Sequence, residues 1–307
     1  MNPFRSLLLA GSESRWLREW ATRYGFVRRA VSRFMPGETF DDALNASRSL
    51  GVGTVLTHLG ENLKDAGEAQ GMTRHYLEVL ERVREGRLDV EISVKLTQLG
   101  LDFSREACEK NLHALIERAR SHGNWVWVDM ESTAYTDVTL DICRRARALF
   151  PNTGLCVQAY LFRTAADLEP LIALGSGVRL VKGAYREPPD KAFPKKADVD
   201  ENFFKLAERL LSPDSRAKGV RAIFGTHDAV LIRRIEELAR RAKLPPEALE
   251  FQMLYGIGRQ QQLRLAAAGY RFRVLISYGA AWFPWYMRRL AECPANVLFV
   301  LRSLFAQ

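Results

Sequence analysis

The stretch GTVLTHLGENLKDAGEAQGMTRHYLEVLERVREGRLDVEISVKL, residues 53–96, contains the pattern that decides the fold. It begins with the short β-branched run GTVLTHL (53–59), which predicts a buried strand. The segment LKDAGEAQGMTRHYLEVLERVREG (63–86) follows, with apolar residues at helical spacing, and predicts an amphipathic helix. A second buried run, VEISVKL (90–96), ends the stretch. Strand, helix and strand in this order indicate a βαβ unit, in which the two strands are parallel.

The same unit repeats along the rest of the chain. Six more short apolar runs follow, separated by segments of helical periodicity. They are NWVWVDM (124–130), GLCVQAY (154–160), GVRLVKG (177–183), RAIFGTH (221–227), LEFQML (249–254) and FRVLIS (272–277). Eight strand–helix units are the number in a (βα)8 barrel, whereas doubly wound sheets usually have about five to seven strands. No GxGxxG motif follows the first run, so nothing in the sequence supports a Rossmann nucleotide site.

Composition narrows the class of protein. Of the 307 residues, 47% are hydrophobic and 26% are charged, which is typical of a soluble globular protein. No apolar run reaches the ~18 residues that a membrane-spanning helix requires. The five histidines show no HxH or HExxH spacing, so no metal site is expected. The four cysteines are far apart and are expected to be free thiols in a reducing compartment: Cys108, Cys143, Cys156 and Cys293.

The first 35 residues are unusually basic. They contain seven arginines and two glutamates, in a chain whose net charge is +9. With Trp16, Trp20 and Phe26 between the arginines, this segment could form a basic amphipathic helix on an anionic membrane. The alternative is a helix packed on the main domain with its arginines in solvent. The basic residues elsewhere form no aromatic-interleaved motif, so nucleic-acid binding is not expected.

We expect two parts in the chain. Residues 1–50 are predicted to form an N-terminal helical segment packed on the barrel, and residues 51–307 to form the catalytic (βα)8 barrel itself. The predicted location is cytoplasmic, and peripheral contact at the inner face of the membrane stays open.

Polar side chains lie at or near the end of nearly every predicted strand. In barrel enzymes the catalytic groups collect at the C-terminal ends of the strands, so this pattern predicts an active site at that end, the mouth of the barrel. The residues are Glu61, Lys95, Asp129, Glu131, Gln158, Tyr160, Lys182, Tyr185, His227, Asp228, Gln252, Tyr255 and Tyr278.

Single members of this set also have structural interpretations. Lys95 could extend from the edge of a strand into solvent, and Asp129 could cap the following helix. His227 could simply begin a helix. The joint pattern favours function, because a structural core does not need a polar group at each strand end.

The stretch WFPWYMRRLAE (282–292) adds a pair of guanidiniums. In a helix, Trp285, Arg288, Arg289 and Glu292 share one face. Two chemistries fit these residues: Schiff-base catalysis by Lys95 or Lys182, or a large anionic cofactor above the strand ends with an arginine pair gripping a carboxylate. The arginine pair favours the second, because guanidinium forks bind carboxylates in a bidentate manner.

Six motifs together resemble the proline dehydrogenases, in particular their short monofunctional bacterial form. The resemblance extends from about residue 35 to the end. It is carried by KLTQLGLD (95–102), VDMESTAYT (128–136), RLVKGAYREP (179–188), FGTHD (224–228), EFQMLYGI (250–257) and YMRRLAE (286–292). It implies a distorted (βα)8 barrel that binds FAD non-covalently and whose last helix lies over the mouth.

The implied reaction is the oxidation of L-proline to 1-pyrroline-5-carboxylate, the first step of proline catabolism to glutamate. Hydride passes from C5 of proline to N5 of the flavin, and a quinone then accepts the electrons. A quinone acceptor would explain peripheral contact of the protein with a membrane.

The resemblance also assigns roles to particular residues. Arg288 and Arg289, aided by Lys95, hold the proline carboxylate, and Asp129 lies beside the flavin. Tyr185, Ala184 and Leu254 line the ring pocket. Lys95, Asp129, Tyr185, Arg288 and Arg289 form the implied catalytic set. The implied flavin contacts are Asp129, Gln158, Arg179, Val181, Lys182, Gly183, Ala184, Lys196, Thr226, His227 and Glu292.

Two positions depart from the family pattern. Leu275 in LISYG (275–279) replaces a tyrosine that usually covers the substrate ring, and Trp285 replaces a tyrosine on the last helix. Family members that prefer hydroxyproline have a smaller residue at the first of these positions. We therefore expect a reshaped pocket for a proline-like ring, and a preference for hydroxyproline is the main alternative.

Two unrelated functions also stay open at the level of sequence. One is an aldolase-like barrel that uses Lys182 as a Schiff-base nucleophile. The second is a basic membrane-associated binding module without catalysis, which the full set of polar strand ends disfavours.

Overall fold

The computed structural model describes residues 31–60, 63–185, 187–283 and 285–287. Its centre is a closed barrel of eight parallel strands, paired in sequence order, with the last strand paired to the first. The strands are β1 (Gly53–His58), β2 (Val90–Val94), β3 (Val126–Val128), β4 (Thr153–Gln158), β5 (Gly177–Val181), β6 (Arg221–Gly225), β7 (Glu250–Leu254) and β8 (Arg271–Tyr278). Each of the eight predicted runs overlaps one strand, and the predicted (βα)8 barrel is confirmed.

Helices surround the barrel and connect its strands. None of the helices in the described ranges is long and apolar enough to cross a membrane. They are α1 (Phe40–Leu50), α2 (Ala66–Glu85), α3 (Arg105–Ser121), α4 (Thr136–Leu149), α5 (Thr164–Ala173), α6 (Lys196–Leu211), α7 (Pro213–Ala217), α8 (Ala229–Arg241) and α9 (Arg259–Ala267).

The ends of these helices follow local sequence signals. The Thr39 hydroxyl accepts a hydrogen bond from the backbone N–H of Asp42 at 3.1 Å, and the Asp42 carboxylate accepts from the N–H of Thr39 at 3.0 Å. This reciprocal pair is a capping box that begins α1. The same helix ends at Gly51, whose φ of 65° favours glycine. Asp65 and Ser104 cap α2 and α3 with their side chains.

Successive side chains of each strand point to two different environments. In β2, Val90, Ile92 and Val94 lie in the apolar core between the sheet and the helices. Glu91 and Ser93 point into the barrel, where they form hydrogen bonds with side chains from β3 and its C-terminal end. The main apolar core is therefore the layer between sheet and helices, whereas the barrel interior holds many polar groups.

Two acids and two arginines fill the N-terminal end of the barrel. We call Glu91, Arg221, Glu250 and Arg273 the floor cluster. Arg221 lies 2.8 Å from Glu91 and 2.7 Å from Glu250, and Arg273 lies 3.4 Å from each of them. Each buried carboxylate thus has two cationic partners, as buried charges require.

Two stacked indoles adjoin the floor cluster. The ring centres of Trp125 and Trp127 are 5.7 Å apart, and the Arg221 guanidinium lies 4.8 and 5.2 Å from them. Gly154 and Gly177 make room for these rings, since a Cβ at Gly154 would lie 2.2 Å from the Trp127 ring and one at Gly177 2.7 Å from the Trp125 ring. Side chains therefore fill the interior of the barrel at this end.

Residues 282–283 and 285–287 pack against residues 31–35 in a separate apolar cluster. The rings of Phe34 and Tyr286 are 6.1 Å apart, and Trp282 Nε1 donates to Glu38 Oε1 at 2.9 Å. Residues 1–30 and residues 288–307 lie outside the described residues. The predicted division of the chain at residue 50 and the predicted position of the last helix therefore stay predictions.

Candidate active site

Four side chains meet in the upper half of the barrel, and we call Ser93, Lys95, Asp129 and Arg179 the central cluster. Asp129, directly after β3, forms an ion pair with Arg179 of β5. Lys95, directly after β2, has its ammonium 3.7 Å from the other oxygen of the same carboxylate. Ser93 donates to Asp129 Oδ1 at 2.9 Å and accepts from Arg179 Nη2 at 2.7 Å. One carboxylate is thus shared by two cations, which leaves the cluster positive.

Arg179 is a buried cation with fixed partners. Its side chain is 2% exposed, and its Nη1 donates to Gln252 Oε1 at 3.3 Å. Its guanidinium also lies 5.6 Å from the centre of the Trp127 ring. Burial alone would lower the pKa of Arg179, but the charge of Asp129 raises it, so the side chain stays charged.

The structure excludes the structural interpretations of Lys95 and Asp129. The Lys95 side chain is 10% exposed and pairs with Asp129, so it does not extend into solvent. Asp129 caps no helix, because Tyr135 occupies the N-cap position of α4. Asp228, which directly follows His227, is the N-cap residue of α8.

A second charged cluster lies beyond the ends of β5 and β6, and we call Lys182, Lys196, Asp200 and Asp228 the rim cluster. The Lys182 ammonium lies 2.8 Å from Asp228 and is also hydrogen-bonded to Asp200. Lys196 bridges the same two carboxylates, 3.1 Å from Asp228. Burial would raise the pKa of Asp228, but the hydrogen bonds from the two lysines hold it well below its usual value. Both ammonium groups are paired with both carboxylates, so a phosphate group could bind here only by replacing one of these contacts.

Gln158 and His227 have defined orientations at the mouth. Gln158 Nε2 donates to the carbonyl oxygens of Met130 at 2.9 Å and Glu131 at 3.0 Å. Its Oε1 is buried and has no hydrogen-bond partner among the described residues, which is rare for a native side chain. His227 Nε2 accepts from the backbone N–H of Leu254 at 2.9 Å, so the neutral imidazole carries its proton on Nδ1.

The backbone after β5 has a conformation that glycine alone adopts easily. Gly183 has a φ of 110°, and a Cβ there would lie 2.1 Å from the ring of Tyr160. Val181, the last residue of β5, and the following Ala184 and Tyr185 are half-buried at the same end of the barrel.

The predicted pocket residues are placed in two groups. Leu254 of β7 and Leu275 of β8 are paired neighbours, and both are half-buried. Leu275 packs against the apolar cluster of Val55, Trp127 and Ile223. Trp285 is 8% exposed and belongs to the apolar cluster formed with residues 31–35. The predicted carboxylate clamp and one predicted flavin contact lie outside the described residues: Arg288, Arg289 and Glu292.

Two residues of these clusters, Ser93 and Asp200, were not predicted from the sequence. A third residue, Gln252, was expected closer to the end of its strand than the structure places it. Ser93 lies two positions before Lys95 and therefore on the same face of β2, a signal that strand alternation provides. Asp200 lies on α6, and no local pattern connects it with Lys182. Gln252 was expected at a strand end, but it lies deeper in the barrel as a partner of Arg179.

Thr226 has a structural contact at the position predicted to bind the cofactor. It is buried, and its hydroxyl accepts from the N–H of Asp228 at 3.1 Å. It therefore supports the start of α8.

The described cysteines are buried free thiols, as expected: Cys108, Cys143 and Cys156. Burial raises the pKa of each of them. Cys293 lies outside the described residues.

The chain is similar in sequence to known proteins over most of its length. A sequence model of the family described as proline dehydrogenase matches residues 40–302. The chain is 36% identical over 304 residues to proline dehydrogenase 1 of Bacillus subtilis subsp. natto, covering 98% of both proteins. It is 32% identical over 282 residues to proline dehydrogenase of Deinococcus radiodurans, covering 89% of both.

Solved structures show the same fold. The crystal structure of proline utilization A from Bdellovibrio bacteriovorus, inactivated by N-propargylglycine, superposes with a TM-score of 0.78 at 26% identity. The match covers 87% of this chain and 33% of that one, so the chain spans about a third of that longer protein.

Proposed function

The chain belongs to the proline dehydrogenase family and catalyses the dehydrogenation of proline, and from this premise we propose that the mouth of the barrel is its active site. The observation that carries the proposal is the ion pair between Asp129 and the buried Arg179, with Lys95 beside it. A polar, positively charged group of side chains in a barrel interior suits an anionic substrate and a redox cofactor.

Non-covalently bound FAD is the proposed cofactor. When bound, it would supply the hydride acceptor, its N5 atom. Three features fit it: the unpartnered Gln158 Oε1 could accept from a ring N–H, the two lysines of the rim cluster could bind phosphates, and His227 Nδ1 could donate. The proposed holding residues are Asp129, Gln158, Arg179, Val181, Lys182, Gly183, Ala184, Lys196, Thr226, His227 and Glu292.

The remaining predicted residues would bind and orient proline. Arg288 and Arg289 are proposed to hold the substrate carboxylate together with Lys95, whose ammonium is kept inside the barrel by Asp129. The net positive charge of the central cluster disfavours a further cation, so the site selects proline with a neutral amine. Loss of hydride from C5 requires that form. Ala184, Tyr185, Leu254, Leu275 and Trp285 are proposed to line the ring pocket.

Absorption spectroscopy of the purified full chain tests the cofactor. We expect a yellow protein with flavin absorption bands that L-proline bleaches under anaerobic conditions. A colourless protein that still converts proline would contradict the assignment of FAD.

The substrate preference is a separate question, raised by Leu275 and Trp285. A pocket that keeps its charged groups and changes shape shifts selectivity by about 1–3 kcal/mol without changing the reaction. Measuring kcat/KM for L-proline and trans-4-hydroxy-L-proline decides between the two substrates. We expect Leu275→Tyr to move the ratio toward proline, and an unchanged ratio would contradict a role for this position.

The aldolase hypothesis is disfavoured by the rim cluster. Lys182 donates hydrogen bonds to two carboxylates, whereas a Schiff-base nucleophile is a neutral amine free to attack a carbonyl. Borohydride treatment in the presence of an aldehyde should therefore leave Lys182 unlabelled.

A quinone is the proposed electron acceptor, with peripheral contact of the basic N-terminal segment with an anionic membrane. The proposal rests on the excess of arginines in the first 35 residues. Sedimentation with anionic and zwitterionic vesicles tests it: binding to the anionic vesicles that weakens with salt supports contact, and equal recovery in the supernatant contradicts it.

A further inference from the structure

The hydroxyl of Ser93 is placed between the two charged side chains of the central cluster. It accepts from Arg179 Nη2 at 2.7 Å and donates to Asp129 Oδ1 at 2.9 Å. A second acceptor for its proton, the carbonyl oxygen of Trp127, is more distant at 3.5 Å. Both shorter hydrogen bonds involve an ionised partner, which makes them stronger than bonds between neutral groups.

The backbone that carries this hydroxyl is also fixed. Ser93 is fully buried, and its carbonyl oxygen accepts from the Tyr76 hydroxyl at 3.1 Å. That hydroxyl in turn accepts from the backbone N–H of His58 at 2.8 Å. The hydroxyl of Ser93 therefore has one defined position relative to the barrel.

Arg179 has a second neutral partner at its other end. Nη1 donates to Gln252 Oε1 at 3.3 Å, and Gln252 Nε2 donates to Glu250 Oε1 at 3.2 Å. The guanidinium is thus held at both ends, by Ser93 and Asp129 on one side and by Gln252 on the other. An ion pair alone would allow the planar group to pivot about a single contact.

We propose that Ser93 is a positioning residue for proline oxidation, which holds Arg179 and Asp129 at a fixed separation and orientation. The proposal rests on the function proposed above, in which these two side chains are among those that hold the flavin. A displacement of about 1 Å at a reacting centre can cost as much as a factor of about 100 in rate. Loss of the hydroxyl should therefore reduce turnover more than it reduces affinity for proline.

Three variants test this role. Ser93→Ala removes the hydroxyl, and Ser93→Thr keeps it on a β-branched side chain that suits a strand. Ser176→Ala is the matched control, because Ser176 is also buried and its hydroxyl has no partner among the described residues. We expect kcat to fall about tenfold in S93A with KM for proline within about twofold, partial recovery in S93T, and no change in S176A. A kcat of S93A within about twofold of the wild type, or an equal loss in S93A and S176A, would overturn the proposal.

A second measurement does not depend on the cofactor. If Ser93 acts through Asp129, the double variant should lose less melting temperature than the sum of the losses measured in S93A and in Asp129→Asn. Additive losses would overturn the proposal even if the activity data were favourable. A colourless wild-type protein would instead contradict the FAD assignment, and this thermal cycle would still decide the role of Ser93.

Discussion

At the scale of single residues, Asp129 is the point on which the central cluster depends. It is the carboxylate common to Lys95, Ser93 and Arg179, which come from two other strand segments. Arg179 is buried far from solvent, so it needs this counter-charge in the folded state. Stability and the proposed catalysis are therefore coupled at the same side chain.

Replacing Asp129 by asparagine should destabilise the fold. Asparagine keeps the shape but leaves the Arg179 guanidinium without its counter-charge, and breaking a buried pair in this way costs about 3–5 kcal/mol. Because Asp129 is 19% exposed, we expect a smaller loss, about 2–3 kcal/mol in the free energy of unfolding, measured with urea. Asp141→Asn, which breaks the exposed pair with Arg105, is the control and should leave the urea midpoint unchanged. Equal losses in both variants would contradict this expectation.

His58 should make stability depend on pH. Burial, with smaller contributions from His75 and Lys95, lowers its pKa from 6.5 to about 4. Between these two values the unfolded chain binds a proton that the folded chain does not, so stability falls as the pH decreases through this window. The half-buried position limits the effect to about 1–2 kcal/mol between about pH 7 and pH 5.

Urea unfolding of His58→Gln at both pH values checks this expectation. The variant should lose less stability on acidification than the wild type. His113→Gln on α3, where the imidazole packs 5.3 Å from the ring of Phe150, serves as a control for the loss of a histidine. Identical pH dependence in the wild type and the His58 variant would refute the link.

At the scale of elements, the strands combine two chemistries through their alternation. One face of each strand supplies apolar side chains to the layer beneath the helices, and the other supplies the polar interior. Residues near the strand starts form the floor cluster, and residues near the strand ends form the central cluster. The glycines of β4 and β5 belong to this arrangement, because they admit the two indoles above the floor cluster.

Two glycine-to-alanine changes should therefore have opposite signs. Gly154→Ala places a Cβ against the Trp127 ring and should destabilise the fold by about 1–3 kcal/mol, as overpacking does. Gly71→Ala lies within α2, where a Cβ meets no heavy atom closer than 3.9 Å, and should stabilise by about 0.5–1 kcal/mol. Thermal and urea unfolding measure both. A stabilised Gly154→Ala variant would contradict the packing described for the barrel interior.

At the scale of the whole molecule, the two ends of the barrel contribute to different properties. The N-terminal end is filled by the floor cluster and the stacked indoles, so it contributes to closure and stability. The C-terminal end carries the central and rim clusters and is the proposed place of catalysis. Conservative changes at the two ends should thus affect different properties.

Arg221→Met tests this division. It leaves Glu91 and Glu250 with Arg273 as their remaining cationic partner among the described residues. Removing one member of a buried charged group costs about 3–5 kcal/mol. Because Arg221 is 17% exposed and Arg273 remains, we expect the free energy of unfolding to fall by about 2–3 kcal/mol. KM for proline should stay within about twofold of the wild-type value, since the contacts proposed for the carboxylate lie at the other end. A large rise in KM with little loss of stability would contradict the division.

The fold could be predicted from the sequence because its signals are local. Each of the eight β-branched runs and the amphipathic segments between them is readable within a window of about 10–20 residues, and their number implies the barrel. The family motifs supplied the reaction and the predicted roles of Lys95, Asp129 and Arg179, and the structure places these three side chains together. Capping signals such as Thr39 with Asp42 were equally local.

The interior partners were decided by the tertiary structure. Ser93, Gln252 and Asp200 are separated in sequence from the charges they contact, and no local pattern predicts these contacts. Closing eight strands into a barrel sets the register that brings positions from β2, β3, β5 and β7 to the same height. The sequence by itself therefore determined the order of the elements and the chemistry at their ends, whereas the contacts between distant strands arose only when the barrel closed.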